Sequence, residues 1–210
     1  MIQLYSRATP NGRKIAIALE ECALPYTVHP IDLSKKEQKT PDFLAMNPNG
    51  RIPVIVDDGA EGGPITVFES GAILVYLAET SGRLLPASGV GRVEALKWPF
   101  FGSSQVTHTA MQVHHLLRRK EAGEPHENLG TYSEELARLY GILDQVLSGR
   151  EFLAGAEYSI ADIASWTWVD RHEAHGVNVT PWPHLQGWFD RIRARPATQS
   201  GYDVPPRGDS

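Results

Sequence analysis

The 210 residues of this chain are 41% hydrophobic and carry 20 basic against 25 acidic side chains, so the formal net charge is −5. A chain of this size can bury a sizeable core in one or two domains, and its acidic balance argues against a nucleic-acid partner bound through phosphates. No segment reaches the roughly 18 apolar residues of a membrane span, no signal-peptide core is present, and the single cysteine fits a reducing compartment, so we expect a cytoplasmic protein.

The first 33 residues predict a strand, a helix and a second strand. Residues 2–5 form an apolar strand, residues 9–12 a turn, and residues 26–33 the second strand. Between them, apolar side chains recur at i, i+3, i+4 and i+7, which is the pattern of one helical face. These side chains are Ile15, Ala18, Leu19 and Cys22.

A turn, a proline and a short apolar run follow. Residues 41–46 predict a short helix, 47–51 a turn, and the β-branched run 54–56 a buried strand. Pro53 cannot donate to a ladder, so we expect it at the entrance of that strand. If the Ile52–Pro53 bond were cis, the backbone of Ile52 would turn outward and could pair with an extended peptide.

An acidic residue and a hydroxyl mark the start of the next helix. A strand at residues 64–67 leads into Glu69 and Ser70, and the run 72–77 is long enough for a helix that begins near Ser70. The hydroxyl and free N–H groups of a helix start suit a carboxylate, while Glu69 suits an ammonium, and one amino acid carries both groups. Alternatively, Ser70 only caps the helix and Glu69 offsets its dipole.

The second half of the chain reads as helical throughout. We divide the sequence into a small α/β domain with a mixed sheet at residues 1–80, a linker at 81–91, an all-α domain at 92–200 and a flexible tail at 201–210. The first long helix runs to about Lys120 and is bent by Pro99.

Two histidine pairs, His114–His115 and His172–His175, lack a third evident ligand, so no metal is expected.

A helix-capping motif in the second half completes a set of sequence motifs typical of a known protein family. Ser159 and Asp162 stand three apart at the start of a helix, a variant of the capping box. The element order and the spacing of these landmarks resemble the cytosolic glutathione transferases, with a thioredoxin-like domain followed by a helical domain. The closer details resemble the nu class of bacterial enzymes and the related Ure2-like disulfide-bond oxidoreductases: TPNG at 9–12, Gln38, NPNGRIP at 47–53, FESGAILVYLAE at 68–79 and YSIADIA at 158–164.

The resemblance implies which residues activate the thiol of bound glutathione. A cysteine-type thiol has a pKa of about 8.5, so only about 3% is thiolate at pH 7, and the site must lower that value. The hydroxyl and amide candidates near the first helix are Tyr5, Ser6, Thr9 and Asn11. The nu-like pattern implies Thr9 and Asn11 as catalytic residues; the alternative is that they only cap the helix.

The rest of the tripeptide is placed by charge and by the same resemblance. Glu69 and Ser70 would hold the γ-glutamyl ammonium and carboxylate. Ile52, beside Pro53, would pair with the cysteinyl backbone, and Arg51 or Gln38 would reach the glycyl end. Arg51 is alternatively a solvated side chain with no ligand.

The implied function is glutathione-dependent reduction of small disulfides. Conjugation of glutathione to an electrophilic carbon is an alternative, and so is a non-catalytic regulatory module that binds glutathione as a ligand. The family also implies a homodimer, for which Leu74, Tyr76 and Phe100 are candidate interface residues. Neither a nucleic acid nor a membrane is expected as a partner.

Overall fold

Four short strands form one mixed sheet in the computed structural model, which describes residues 1–206. They are β1 (Ile2–Ser6), β2 (Tyr26–Pro30), β3 (Val54–Asp57) and β4 (Ile65–Phe68). The order across the sheet is β2-β1-β3-β4; β1 pairs with β2 in parallel, and the other neighbours are antiparallel. The predicted mixed sheet is confirmed, and β3 begins directly after Pro53, as expected of a residue that cannot donate to the ladder.

Three helices and a 3₁₀ turn complete this part of the chain. They are α1 (Pro10–Cys22), the 3₁₀ turn (Glu37–Lys39), α2 (Pro41–Met46) and α3 (Ser70–Ser81). The apolar face predicted for α1 is fully buried, and α1 packs against α3. Together with the sheet they give the thioredoxin-like arrangement that the sequence predicted.

Five of the remaining helices bury a second core. They are α4 (Gly89–Phe101), α5 (His108–Glu121), α6 (Leu129–Leu147), α7 (Ile160–Val169) and α8 (Pro183–Arg193), and they are followed by a last helix, α9 (Pro196–Tyr202). The single long helix predicted to Lys120 is interrupted by a π-helical segment at Gly102–Thr107. Gly102 lies so close to α7 that a Cβ there would stand 2.8 Å from Ser165 Oγ. The all-α character of the region is confirmed.

The start of α7 shows the predicted capping box. The Ser159 side chain accepts from the backbone of the first turn, and the carboxylate of Asp162 accepts from the Ser159 backbone N–H at 3.0 Å. Both residues are buried. This motif therefore fixes the beginning of a helix whose ten residues are all buried.

The histidines do not assemble a metal centre. Within residues 1–206 no group of three or more His, Cys, Asp or Glu side chains is arranged to hold a metal ion. His175 instead stacks on Trp168, with ring centroids 6.2 Å apart, and lies next to His114. Burial lowers the pKa of His175 to about 4, so the ring is neutral at physiological pH.

The chain divides into two compact units, and the C-terminal helix belongs to the first. Unit 1 comprises residues 1–87 together with the described residues from 194 onward, and unit 2 comprises residues 88–193. The sequence predicts residues 194–200 as part of the helical domain, whereas α9 packs closely on α1. A Cβ at Gly201 would lie 2.7 Å from the Ile17 backbone nitrogen, so the two helices touch along their backbones.

A buried arginine ties the C-terminal residues to α1. The Arg13 guanidinium donates to the Tyr202 carbonyl at 2.8 Å and lies 3.8 Å from the centre of the Tyr202 ring. Pro205 is also buried. The prediction of a flexible tail is therefore wrong for residues 201–206, and residues 207–210 lie outside the described part of the chain.

The candidate interface residues differ in exposure. Leu74 is fully buried in unit 1, so its prediction as an exposed interface residue is wrong. Tyr76 is half-buried and donates to Asp57 Oδ2 at 2.8 Å. Phe100 is 71% exposed on α4. None of the described helices combines the length and apolarity that a membrane crossing requires.

Candidate functional site

Strand directions bring three predicted site segments to one end of the sheet. Because β3 is antiparallel to both β1 and β4, the last residues of β1 and β4 and the first residue of β3 lie at the same edge. Tyr5, Val54 and Phe68 form one row across the sheet. The chain beyond this row therefore carries the start of α1, the Ile52–Pro53 step and the start of α3 side by side.

Thr9 caps α1 and keeps a hydrogen to donate. It is the N-cap residue, and its Oγ1 accepts from the Gly12 backbone N–H at 3.3 Å. Pro10 at the first helical position supplies a preset backbone angle, which favours a helix start here. A hydroxyl can accept and donate at once, so the capping alternative and a role in binding a sulfur atom are compatible. Asn11 follows in the first turn and is half-buried.

A glycine holds the start of α1 against the end of β1. A Cβ at Gly12 would stand 2.0 Å from the Arg7 carbonyl oxygen and 2.5 Å from Ser6 Oγ. Ser6 itself is fully buried and donates to the Arg7 carbonyl at 3.3 Å, so it does not present its hydroxyl to a ligand. Tyr5 stacks on His29 at 4.5 Å between ring centroids. Among these hydroxyls, Thr9 is the one at the helix start.

The Ile52–Pro53 step forms an edge next to β3. The bond is cis, Pro53 is buried, and Ile52 packs against the cluster of Ile31, Phe43 and Val54. No hydrogen bond from another described residue engages the backbone N–H or C=O of Ile52. These two groups are therefore available to pair with an added peptide strand.

Glu69 occupies a strained backbone conformation at the start of α3. Its φ is 70° and its ψ 116°, and it is the N-cap residue of a helix whose first residue is Ser70. No side chain caps this helix, so the alternative in which Ser70 is a cap is wrong. A non-glycine residue at positive φ costs about 1 to 3 kcal/mol, and such residues cluster at functional sites.

Backbone N–H donors remain open at the start of α3. The first N–H groups of α3 have no partner within the helix, and they point out of its N-terminus together with the positive end of the helix dipole. Ser70 adds a hydroxyl that forms no hydrogen bond with the described residues. The arrangement suits a carboxylate, while the exposed Glu69 beside it suits a cation.

Gln38 and Arg51 lie on the loops that flank the Ile52 edge. Gly50 is packed so tightly that a Cβ there would stand 2.9 Å from the Gln38 carbonyl oxygen. Gln38 Oε1 is buried without a hydrogen-bond partner among residues 1–206, and the Arg51 side chain is exposed. Asn47 fixes this turn, because its Nδ2 donates to the Arg51 carbonyl at 2.7 Å. The sequence predicts this turn but gives Asn47 no role of its own, although an Asn side chain commonly bonds the backbone two residues on, as Asn47 Oδ1 does here by accepting from the Asn49 N–H at 3.0 Å.

A second residue missed from the sequence is a buried lysine. Lys14 on α1 is fully buried, and burial lowers its pKa to about 7, while the nearby carboxylate of Glu69 acts in the opposite direction. The sequence placed only apolar side chains on the buried face of α1. A lysine four residues before Ala18 on that face was the available signal.

Sequence comparisons identify the two halves of the chain. Residues 8–80 match the family model of the glutathione S-transferase N-terminal domain, and residues 106–196 match that of the C-terminal domain. The chain is 41% identical to the disulfide-bond oxidoreductase YfcG of Escherichia coli over 200 residues, which cover 94% of this chain and 93% of the relative. It is 33% identical to the disulfide-bond oxidoreductase YghU of the same organism over 213 residues, covering 95% and 73%.

Solved structures with the same fold contain glutathione. A glutathione transferase from Burkholderia graminis, with two glutathione molecules bound per subunit, has a TM-score of 0.91 and 38% identity, covering 99% of this chain and 89% of the other. One from Pseudomonas putida, with one glutathione disulfide bound per subunit, has a TM-score of 0.89 and 36% identity, covering 97% and 91%. The resemblance and the fold class predicted from the sequence are thereby confirmed.

Proposed function

The chain belongs to the glutathione S-transferase family, and from its site we propose that it is a glutathione-dependent enzyme that reduces small disulfides. The observation that carries this proposal is the convergence of the starts of α1 and α3 with the Ile52 edge at one end of the sheet. Three recognition elements of different chemistry meet there, and a peptide with a thiol between two charged ends matches them.

The γ-glutamyl end of glutathione has its counterparts at the start of α3. Its carboxylate would accept from the Ser70 hydroxyl and from the open N–H groups of the first turn, where the helix dipole favours negative charge. Its ammonium would donate to the Glu69 carboxylate. The strained backbone of Glu69 supports this assignment, because strain persists where a function requires the geometry.

The cysteinyl and glycyl residues of glutathione fit the loops around Ile52. The open backbone groups of Ile52 would pair with the cysteinyl residue, as in strand addition. The exposed Arg51 guanidinium suits the glycyl carboxylate through charge-assisted hydrogen bonds. Gln38, with a buried and unpartnered Oε1, has an acceptor available for a ligand N–H.

In this arrangement the cysteinyl sulfur of bound glutathione lies at the start of α1. Lowering a thiol pKa by about 2 units requires roughly 2.7 kcal/mol of stabilisation of the thiolate. A hydrogen bond from the Thr9 hydroxyl, a second from Asn11 and the dipole of α1 together have that magnitude. We assign Thr9 and Asn11 as the catalytic residues on this basis.

The reaction consists of two thiol–disulfide exchange steps. The bound glutathione thiolate attacks one sulfur of the substrate disulfide, forms a mixed disulfide and releases the other half as a thiolate. A second glutathione, as its thiolate, attacks the mixed disulfide; glutathione disulfide forms and the second substrate thiol leaves. Two glutathione molecules are oxidised for each disulfide reduced, and the protein itself gains or loses no electrons. This scheme needs no cysteine from the chain, and Cys22, its one cysteine, is buried.

We expect the purified protein to reduce hydroxyethyl disulfide with glutathione. Arg51→Ala should raise the KM for glutathione roughly tenfold while kcat stays within about twofold, because the variant loses a charged hydrogen bond far from the sulfur. Arg118→Ala, on the exposed end of α5, is the matched control and should behave as the wild type. Turnover of chlorodinitrobenzene without any disulfide reduction would favour conjugation instead. Tight glutathione binding with neither activity would favour the non-catalytic module.

We further propose that the protein works as a homodimer in the cytoplasm, where glutathione is kept reduced. Val90, Val93 and Phe100 on α4 are 81%, 65% and 71% exposed, which is unusual for large apolar side chains along one helix. Sedimentation at micromolar concentration should therefore give a dimer, and Phe100→Glu should shift it toward the monomer. Thr131→Glu, an exposed position on α6, is the control. A wild-type monomer would contradict the proposal.

A further inference from the structure

Asn47 is a buried polar side chain that bonds twice to the turn before Ile52. It is 2% exposed and follows directly after α2. Its Oδ1 accepts from the Asn49 N–H at 3.0 Å, and its Nδ2 donates to the Arg51 carbonyl at 2.7 Å. A backbone N–H can only donate and a carbonyl can only accept, so these two partners determine which end of the side-chain amide is which. The amide is therefore held in one orientation.

The backbone of Asn47 closes the same turn. Its N–H donates to the Phe43 carbonyl at 2.9 Å, and its carbonyl accepts from the Gly50 N–H at 2.8 Å. Gly50 has a φ of 60° and packs closely on the Gln38 carbonyl oxygen, which would stand 2.9 Å from a Cβ there. Backbone and side chain together thus anchor Asn47 by four hydrogen bonds, and the group that its Nδ2 holds is held by a rigid partner.

The bond from Nδ2 sets the direction of the next N–H group along the chain. The Arg51 carbonyl and the Ile52 N–H belong to one peptide group, and that group is trans. In a planar trans peptide the C=O and the N–H point in opposite directions. Because the carbonyl is turned toward the buried Asn47 amide, the Ile52 N–H points away from it. No residue between 1 and 206 accepts a hydrogen bond from that N–H.

We propose that Asn47 is a positioning residue of the glutathione site, whose side-chain amide aims the Ile52 N–H at the cysteinyl carbonyl of the ligand. The inference rests on the proposed function, in which the Ile52 edge pairs with the cysteinyl residue. Strand addition needs a donor that already points at the incoming carbonyl. Without Nδ2 the peptide group before Ile52 can turn, so only a fraction of the molecules present the N–H correctly. The apparent Kd then rises by the inverse of that fraction.

The test is the binding of S-methylglutathione, which measures recognition without the chemistry of the thiol. Its Kd is measured by calorimetry for the wild type and two variants. N47D keeps an oxygen for the Asn49 N–H but has no hydrogen for the Arg51 carbonyl, and N47A has neither. We expect both variants to bind roughly five- to tenfold more weakly than the wild type. N49A is the matched control and should bind as the wild type, because the exposed Asn49 side chain forms no hydrogen bond with the described residues.

Hydrogen exchange of the Ile52 N–H separates positioning from support of the fold. In the wild type, bound ligand should slow this exchange at least about tenfold, because the N–H becomes a donor to the ligand. In N47D and N47A saturated with ligand, the protection should fall to about threefold or less. The N–H groups in the first turn of α3 should stay protected as in the wild type. Weaker binding with a lower melting temperature but full protection at Ile52 would leave Asn47 a structural role only and overturn the proposal.

A measurement on the wild type needs no variant to fold. The Asn47 Nδ2 hydrogen that Arg51 accepts should exchange slowly with and without ligand in nuclear magnetic resonance spectra, and exchange at the rate of an exposed amide would overturn the proposal. Failure of the wild type to bind S-methylglutathione, or binding that leaves Ile52 unprotected, would overturn the proposed function. Protection of Ile52 and a wild-type Kd in both Asn47 variants would overturn only the role of Asn47.

Discussion

Replacing Thr9 by valine together with Asn11 by alanine is expected to raise the thiol pKa of bound glutathione from about 6.5 to nearly 8.5, because both side-chain donors to the sulfur are removed and only the dipole of α1 remains. At pH 6.5 the thiolate fraction then falls from about one half to about one hundredth, and disulfide reduction should slow roughly 50-fold. At pH 9 both proteins hold mostly thiolate, so the difference should nearly vanish. The measurement is the ultraviolet absorbance of the thiolate against pH, beside the rate.

This recovery at high pH separates a chemical role from a structural one. Valine has nearly the shape of threonine but removes the oxygen that accepts from the Gly12 N–H, and loss of such a cap costs about 1 kcal/mol. A loss of activity caused only by a disturbed helix start would persist at every pH. Thr9→Ser keeps the oxygen and is the matched control, which should retain the wild-type thiol pKa. An unchanged pKa in the double variant would show that the sulfur is held elsewhere.

The features that the sequence predicted well are those that a few neighbouring residues determine. Thr9 before Pro10 specifies a helix start within four residues, because a side-chain cap and a preset proline angle act locally. The capping box of Ser159 and Asp162 is equally local, and so is the turn before Pro53. Each of these elements lies where the pattern put it.

The features that were missed depend on contacts between distant parts of the chain. The positive φ of Glu69 follows from the connection between β4 and α3, and no neighbouring residue announces it. The return of α9 onto α1 requires Arg13 to meet Tyr202, 189 positions away. Lys14 likewise reads as a surface charge in the sequence, although the fold buries it fully. Local patterns therefore predict the candidate site residues by type, whereas backbone strain and burial by distant elements became visible only in three dimensions.

Asp162→Ala should be the most destabilising single change in unit 2, with an expected loss of about 3 to 5 kcal/mol in the free energy of unfolding. The carboxylate is fully buried and gathers donors from three parts of the unit. It accepts from the Leu153 N–H at 2.9 Å, the Trp188 Nε1–H at 2.8 Å and the Ser159 N–H at 3.0 Å. Alanine would leave all of them buried and without this acceptor, and each such donor costs about 1 to 3 kcal/mol.

The tryptophans provide a selective readout for this prediction. All five tryptophans of the chain lie between residues 98 and 188, so their fluorescence during urea unfolding reports on unit 2. Asp162→Asn keeps an oxygen for Leu153 and Trp188 but loses the acceptor for the Ser159 N–H, and should fall between the wild type and the alanine variant. Ser159→Ala removes one cap and should cost only about 1 kcal/mol. An alanine variant with the wild-type urea midpoint would mean that the capping motif starts α7 without holding the unit together.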